Sequence, residues 1–291
     1  MEGLIFKALG GFYYVRTPEG DLSCRGRGLL RREEVPPMVG DRVTVEPTEP
    51  GYGTVVDILP RKNWLLRPSV ANLDRLVLVV SCAEPVPNVL ILDKLTAIAC
   101  RRSIPVVLVF SKIDLPVPRE LVAVYRQAGF SVWEVNSLTG EGVSPLRDAL
   151  QQGVSVFCGN SGVGKSSLLN ALFPALTLAT GEISKKLGRG KHTTRHVELY
   201  DTGHGGYIAD TPGFSAVEFL QLERMAFQEL EGCFPEFSPY LQQCRYTGCS
   251  HTAERDCAIR AAVAAGEIPT SRYQSYCAIY DELKQVKEWE L

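Results

Sequence analysis

Apolar and polar positions along this chain follow two rhythms. Up to about residue 67, short alternating runs dominate, at 11–16, 21–25, 41–46 and 53–59. Turn residues separate them: Thr17-Pro18-Glu19-Gly20, Pro36-Pro37-Met38-Val39-Gly40-Asp41 and Glu49-Pro50-Gly51-Tyr52-Gly53. Period-two alternation between turn signals marks half-buried strands. Four or five such strands in about 65 residues predict a small β-barrel, with an OB-type barrel the leading choice; an SH3-like barrel gives much the same pattern.

From 68 to about 220 the rhythm changes. Unbroken apolar runs at 74–81, 104–110, 131–135 and 154–158 alternate with helical segments at 88–100, 121–127 and 144–150. Such runs between helices imply a parallel sheet covered on both faces, with ligands at the carboxyl ends of its strands. Beyond 221, helical periodicity returns at 222–230, 256–266 and 271–289. The expected division is therefore 1–67, an OB-fold barrel that binds RNA; 68–220, an α/β domain; and 221–291, a helical domain.

Composition narrows this picture only slightly. With 291 residues, 45% hydrophobic and 22% charged, the chain is an ordinary multidomain globular protein. Its net charge of −2 supplies no global basic field, so any nucleic-acid contact rests on local patches. One such patch is Arg25-Gly26-Arg27-Gly28-Leu29-Leu30-Arg31-Arg32. No run of about 18 apolar residues predicts a membrane span, and the N-terminus does not resemble a signal peptide. Nine cysteines, most of them scattered, read as reduced thiols and favour the cytoplasm.

The chemistry concentrates in the α/β segment. After the apolar run at 154–158 comes Gly159-Asn160-Ser161-Gly162-Val163-Gly164-Lys165-Ser166, followed by Ser167 and a helical stretch. The spacing G-x-x-x-x-G-K-S between strand and helix is a phosphate loop. Glycines let backbone N–H groups crowd phosphate oxygens, and the helix start directs its dipole at the anion. Lys165 can reach the β- and γ-phosphates, and the Ser166 hydroxyl can ligate Mg²⁺.

Ser111-Lys112-Ile113-Asp114 follows the strand ending at Phe110 and is similar to the guanine motif N/T-K-x-D. Its Asp accepts from guanine N1–H and the exocyclic amine, donors that adenine lacks there. Ser111 departs from the usual Asn or Thr and offers fewer hydrogen-bond sites than an amide. The stretch Val135-Asn136-Ser137-Leu138-Thr139-Gly140-Glu141-Gly142 resembles the S-A-x loop that backs the base, with Asn136-Ser137 as the departure. Asp210-Thr211-Pro212-Gly213 matches D-x-x-G, in which Asp210 holds Mg²⁺ through water and the Gly213 N–H senses the γ-phosphate. Between the phosphate loop and Asp210, residues 184–196 carry five Lys or Arg and no acid. Thr194 is the first choice there for a second Mg²⁺ ligand, with Thr193 close behind, and the basic residues suit RNA.

The order of these motifs is diagnostic. In a typical GTPase the phosphate loop comes first; here Ser111–Asp114 and Asn136 precede it. The domain is expected to be circularly permuted, which surface termini tolerate. Phe214 stands where Ras-like proteins place a water-orienting Gln, so slow intrinsic hydrolysis is expected, and His192 is the best local substitute.

Cys244, Cys249, His251 and Cys257 form C-x4-C-x-H-x5-C. Three thiolates and an imidazole suit structural zinc with no open position. Cys233 lies outside this set and is expected in the core.

Together these motifs resemble the circularly permuted GTPase family known as RsgA or YjeQ, over essentially the whole chain. That resemblance implies GTP hydrolysis to GDP and phosphate, stimulated by the small (30S) ribosomal subunit during its late maturation, with rRNA as contact. It also implies GTP or GDP at Ser111, Lys112, Ile113 and Asp114 and at Gly159 through Ser167, with Mg²⁺ and one Zn²⁺. A monomer without membrane attachment is expected. Two other readings remain: a phosphate-loop ATPase or small-molecule kinase, against which Asp114 stands, and an RNA-binding translation factor with nucleotide as a structural ligand.

Overall fold

The computed structural model describes residues 1–28, 36–66, 68–174, 176, 197–210 and 225–285. The first unit is built from β1 (Glu2–Leu9), β2 (Phe12–Thr17), β3 (Gly20–Gly26), β4 (Arg42–Pro47) and β5 (Tyr52–Ile58). The strands run in the order β1-β2-β3-β5-β4, and β1 pairs back with β4, which closes a five-stranded barrel of the OB type. Its interior is Ile5, Val15, Cys24, Val43, Val45 and Val55, each fully buried. The alternating runs of the sequence account for β2 to β5. β1 was not among them, because only Ile5 of this strand is buried, while Leu4, Phe6 and Ala8 lie half-buried beside it. The apolar run therefore does not alternate cleanly.

A short pair, β6 (Trp64–Leu65) and β7 (Val70–Ala71), leads into the α/β unit. That unit comprises β8 (Arg75–Ser81), α1 (Val89–Arg101), β9 (Val106–Ser111), α2 (Arg119–Gln127), β10 (Ser131–Val135), α3 (Val143–Leu150), β11 (Gly153–Cys158), α4 (Lys165–Leu172), β12 (Glu198–Asp201) and β13 (Gly206–Asp210). Spatial order is β10-β9-β8-β11-β13-β12, with only β12 antiparallel. The chain winds outward from β8 to β10 and returns to β11 on the other side of β8. The topological switch point therefore falls between β8 and β11, where ligands of such sheets bind.

The two faces explain the unbroken apolar strands. Along β8, Leu76, Leu78 and Val80 join one core with residues of α1 and α2, while Val77 and Val79 join a second with residues of α3 and α4. Both sides of each strand are covered, so alternation disappears. α1 begins where Asn88 accepts a hydrogen bond from the Ile91 N–H at 3.1 Å, a side-chain N-cap. The outer strand β12 pairs with β1, at Lys7 opposite Glu198, so barrel and α/β strands share one sheet of eleven.

The C-terminal unit departs from expectation in detail. The described part of the helix expected at 222–230 is a 3₁₀ turn, Phe227–Glu229, followed by two more at Glu231–Cys233 and Pro235–Phe237. Gly232 and Pro235 disfavour a continuous helix here. The helix expected at 256–266 is shorter, α5 (Ala258–Ala264), because Asp256 (φ 58°) and Gly266 (φ 78°) turn left-handed at its ends. α6 (Thr270–Lys284) matches the last expected helix as far as the described residues reach. Cys233 is buried, as expected. The unit packs on α1 through Arg272, which is 0% exposed. Its guanidinium donates to Asp93 of α1 (2.6 Å), Thr96 (3.0 Å) and Glu236 (2.6 and 3.3 Å). The Tyr125 hydroxyl of α2 donates to the same Asp93 oxygen at 2.6 Å.

Candidate functional site

The phosphate loop leaves β11 from the middle of the sheet, between β8 and β13. Residues 154–158 are buried, so the point of departure is fixed. A Cβ on Gly159 would lie 2.8 Å from the Val79 carbonyl oxygen, so the close approach requires glycine. Gly164 adopts φ 90° and starts α4, a conformation that L side chains resist. Val163 is buried in the core with Val79 and Leu168 and pins the loop from below. At the far end of α4, the Arg147 guanidinium donates to the carbonyls of Leu172 (2.6 Å) and Ala171 (2.8 Å). Asn160, Ser161, Ser166 and Ser167 remain exposed and Lys165 half-buried, so the polar side chains of the loop face outward from an apolar base.

The second element comes from the end of β9. Ser111 is 2% exposed, and its hydroxyl sits 2.6 Å from the Val163 carbonyl oxygen and 3.2 Å from that of Val80. Having one proton, it donates to the nearer, Val163. Ser111 thus ties the end of β9 to the phosphate loop. Lys112 follows with φ 63°, and its ammonium donates to the carbonyls of Glu84 (2.6 Å) and Gly162 (2.8 Å). Asp114 stands exposed beyond it.

The third element leaves β10. Val135 is the register partner of Ser111, so the next residue, Asn136, falls beside the loop that carries Asp114. Its Nδ2 donates to Asp114 Oδ1 at 3.1 Å. Its Oδ1 accepts from the N–H groups of Leu138 (2.9 Å) and Thr139 (3.3 Å). Asn136, which departs from Ser-Ala, thus holds both its own loop and the Asp114 carboxylate.

Asp210 ends β13 opposite Glu198, on the strand next to the one that leads into the phosphate loop. His192, Thr193, Thr194, Gly213 and Phe214 lie outside the described residues, as do Leu29 to Arg32 of the basic cluster.

The four zinc candidates converge: their donor atoms all lie within 4.8 Å of one another. His251 Nδ1 is 3.5 Å from Cys244 Sγ and 3.4 Å from Cys257 Sγ, and those two sulfurs are 3.9 Å apart. A tetrahedral zinc with its usual bond lengths requires edges of about 3.8 Å between sulfurs and about 3.6 Å between sulfur and nitrogen. The cluster fits that ion through Nδ1. The remaining ring nitrogen, Nε2, is 2.9 Å from Glu231 Oε2, the carboxylate that orients a metal-binding imidazole from behind. Tyr273 and Tyr276 donate to the carbonyls of His251 (2.8 Å) and Ser250 (3.0 Å). Burial pushes the Cys249 thiol upward, so a cation is needed to hold it as thiolate at neutral pH. Glu231 escaped sequence reading because nothing in its spacing, twenty residues before His251, marks it.

Residues 58–220 match the family described as RsgA GTPase, and residues 2–55 match the RsgA N-terminal domain. A Geobacillus sp. (strain WCH70) protein named small ribosomal subunit biogenesis GTPase RsgA is 45% identical, covering 98% of both chains. The crystal structure of YjeQ from Thermotoga maritima superimposes with a TM-score of 0.81 at 33% identity, covering 98% of this chain and 99% of that one. YloQ, described as a circularly permuted GTPase, gives 0.79 at 34%, covering 98% and 96%.

Proposed function

Because this chain belongs to the RsgA GTPase family of GTP hydrolases, we propose that it binds the small ribosomal subunit and assists its late maturation while hydrolysing GTP to GDP and phosphate. One observation carries this reading. Phosphate loop, Ser111–Asp114 segment and Asn136 loop meet at the carboxyl ends of β11, β9 and β10, in a sheet whose motifs run in permuted order.

Each residue has a task in this reading. Asp114 accepts from guanine N1–H and the exocyclic amine, and Lys112 lays its stem along the base. Backbone N–H groups of Gly159 to Ser167 and the start of α4 cradle the phosphates. Lys165 places its charge on the β- and γ-phosphates, while Ser166 and Thr194 hold Mg²⁺. When bound, Mg²⁺ would neutralise negative charge on the phosphate oxygens. Asp210 and Gly213 respond to the γ-phosphate where the GTPase segment runs on in sequence into the C-terminal segment. His192 orients the attacking water. Its replacement by Ala is expected to abolish stimulated hydrolysis while sparing GTP binding; unchanged turnover rules the role out.

The supporting units divide the labour, with 1–67 as RNA-binding barrel, 68–220 as GTPase domain and 221–291 as helical domain. Exposed Arg25 and Arg27 on the barrel face rRNA phosphates, Arg25 also lying 4.7 Å over the Phe12 ring. Cys244, Cys249, His251 and Cys257 hold one structural zinc. No helix among the described residues is long and apolar enough to cross a membrane, and the protein acts as a cytoplasmic monomer.

Turnover of GTP and ATP, measured with and without purified small subunits, tests the whole. GTP-selective hydrolysis that rises on adding subunits is expected. Equal use of ATP points to the ATPase or kinase reading, and GTP binding without turnover points to a nucleotide-stabilised translation factor.

A further inference from the structure

We propose that Asn136 is the specificity-determining positioning residue of the nucleotide site: its amide fixes the plane of the Asp114 carboxylate so that both oxygens meet guanine's two donors together. The inference rests on Asp114 as the base reader.

The geometry supports it from several sides. Asp114 lies on an exposed loop beyond β9, and an aspartate carboxylate rotates broadly about its last torsion. A freely turning carboxylate can still accept one bond from N1–H. Accepting from N1–H and the exocyclic amine at once demands one orientation of its plane. Asn136 supplies that constraint, with Nδ2 at 3.1 Å from Asp114 Oδ1. Asn136 is itself immobilised. It is 4% exposed and follows directly on a strand paired to β9. Its Oδ1 accepts from the Leu138 and Thr139 N–H groups, and its backbone N–H donates to the Glu141 carbonyl at 2.9 Å. With Oδ1 spent on the loop, only Nδ2 faces Asp114, so the amide orientation is determined by its neighbours. A side chain with donor and acceptor on one planar group meets both demands at once, as neither Ala nor a carboxylate does.

The test uses the full-length, zinc-loaded protein and compares affinities for GTP, inosine triphosphate and xanthosine triphosphate. Inosine keeps N1–H but lacks the 2-amine. Asn136→Asp retains the oxygen that accepts from Leu138 and Thr139 but replaces the donor with a charge facing Asp114. The GTP-to-inosine affinity ratio is expected to fall about tenfold in this variant. Asn136→Ala, which removes the donor without adding charge, is measured alongside and is expected to lower the ratio too. If both variants lose the two nucleotides equally, or leave the ratio unchanged, Asn136 only holds the loop together and the inference is overturned. Asp114→Asn separates the premise from the inference. It should itself lower the ratio and raise affinity for xanthosine triphosphate. If it does neither, Asp114 does not read the base, and that failure is distinct from one in which Asp114→Asn behaves as expected and the Asn136 variants do not.

Discussion

At the corner formed by Ser111, Asp114 and Asn136, the last two sit just past the ends of two paired parallel strands, and Ser111 is locked to the phosphate loop beneath them. At the zinc cluster, the donors lie between Phe237 and Ala258, where the chain forms no helix or strand. Both constellations are arranged for a ligand, but by different means. Sheet register brings the first together, and buried apolar strands would hold it with or without nucleotide. The second has little regular backbone to position it. Its arrangement rests on the donors, on Glu231 and the two tyrosines behind them, and on Arg272 tying the unit to α1. A ligand that organises its own site and one that occupies a finished site leave different traces when removed.

Stripping zinc should produce the largest effect. Structural zinc contributes on the order of 10 kcal/mol or more to the folding of small modules. Chelation, or Cys249→Ala, is expected to release amide protection in residues 225–285 while β8, β9 and β11 keep theirs. Hydrogen exchange resolved by segment checks this. Simultaneous loss in the central strands would break the contrast and make the two regions one cooperative unit.

Arg272→Ala comes next. It strands Asp93 and Glu236 as buried carboxylates facing each other without a cation. Breaking a buried pair in this way typically costs about 3–5 kcal/mol. The variant should lower the unfolding midpoint strongly, and the Asp93→Asn change in the same background should recover part of the loss by removing one charge. No recovery would mean that Arg272 acts chiefly by packing against Phe234, over whose ring it lies at 4.5 Å.

The same contrast decides what could be read from sequence. Motifs on strand ends were legible because the apolar runs place them: Ser111 and Cys158 end buried strands, and Lys112–Asp114 and Gly159–Lys165 follow at once. The C-x4-C-x-H-x5-C spacing was legible because metal geometry constrains sequence directly. What escaped was long-range pairing. Glu231 meets His251 across twenty residues and Arg272 meets Asp93 across 179, and neither carries a periodic signature. β1 escaped because its half-buried residues blur alternation, and the described part of the helix expected over 222–230 is the 3₁₀ turn Phe227–Glu229. Asn136 looked like an imperfect match because the consensus describes a different side chain for a similar place.

A smaller change sharpens the zinc side. Glu231→Ala removes the carboxylate behind His251 without touching a donor atom, and a loss of about 10–100-fold in zinc affinity is expected. Competition with a chromogenic chelator measures it. Glu231→Gln keeps an oxygen able to accept from Nε2–H and should lose less. Equal affinity in all three proteins would show that Cys244, Cys249 and Cys257 orient the site unaided.

The smallest effect is expected at the guanine corner, from Ser111→Ala. The hydroxyl removed is a single donor to the Val163 carbonyl, and a lost hydrogen bond of this kind typically costs about 1 kcal/mol, or ~5-fold in affinity. Ser111 touches the phosphate loop and not Asp114. The loss should therefore fall equally on GTP and inosine triphosphate, leaving base discrimination intact, and equilibrium binding of both nucleotides measures this directly. Global stability should hardly move, because Ser111 lies at the end of a strand paired on both sides. A change in base preference would mean that Ser111 reaches the base pocket and that the two functions of the corner are not separable. An unfolding midpoint lowered as far as by Arg272→Ala would mean that the corner, like the zinc cluster, depends on its polar contacts for its fold.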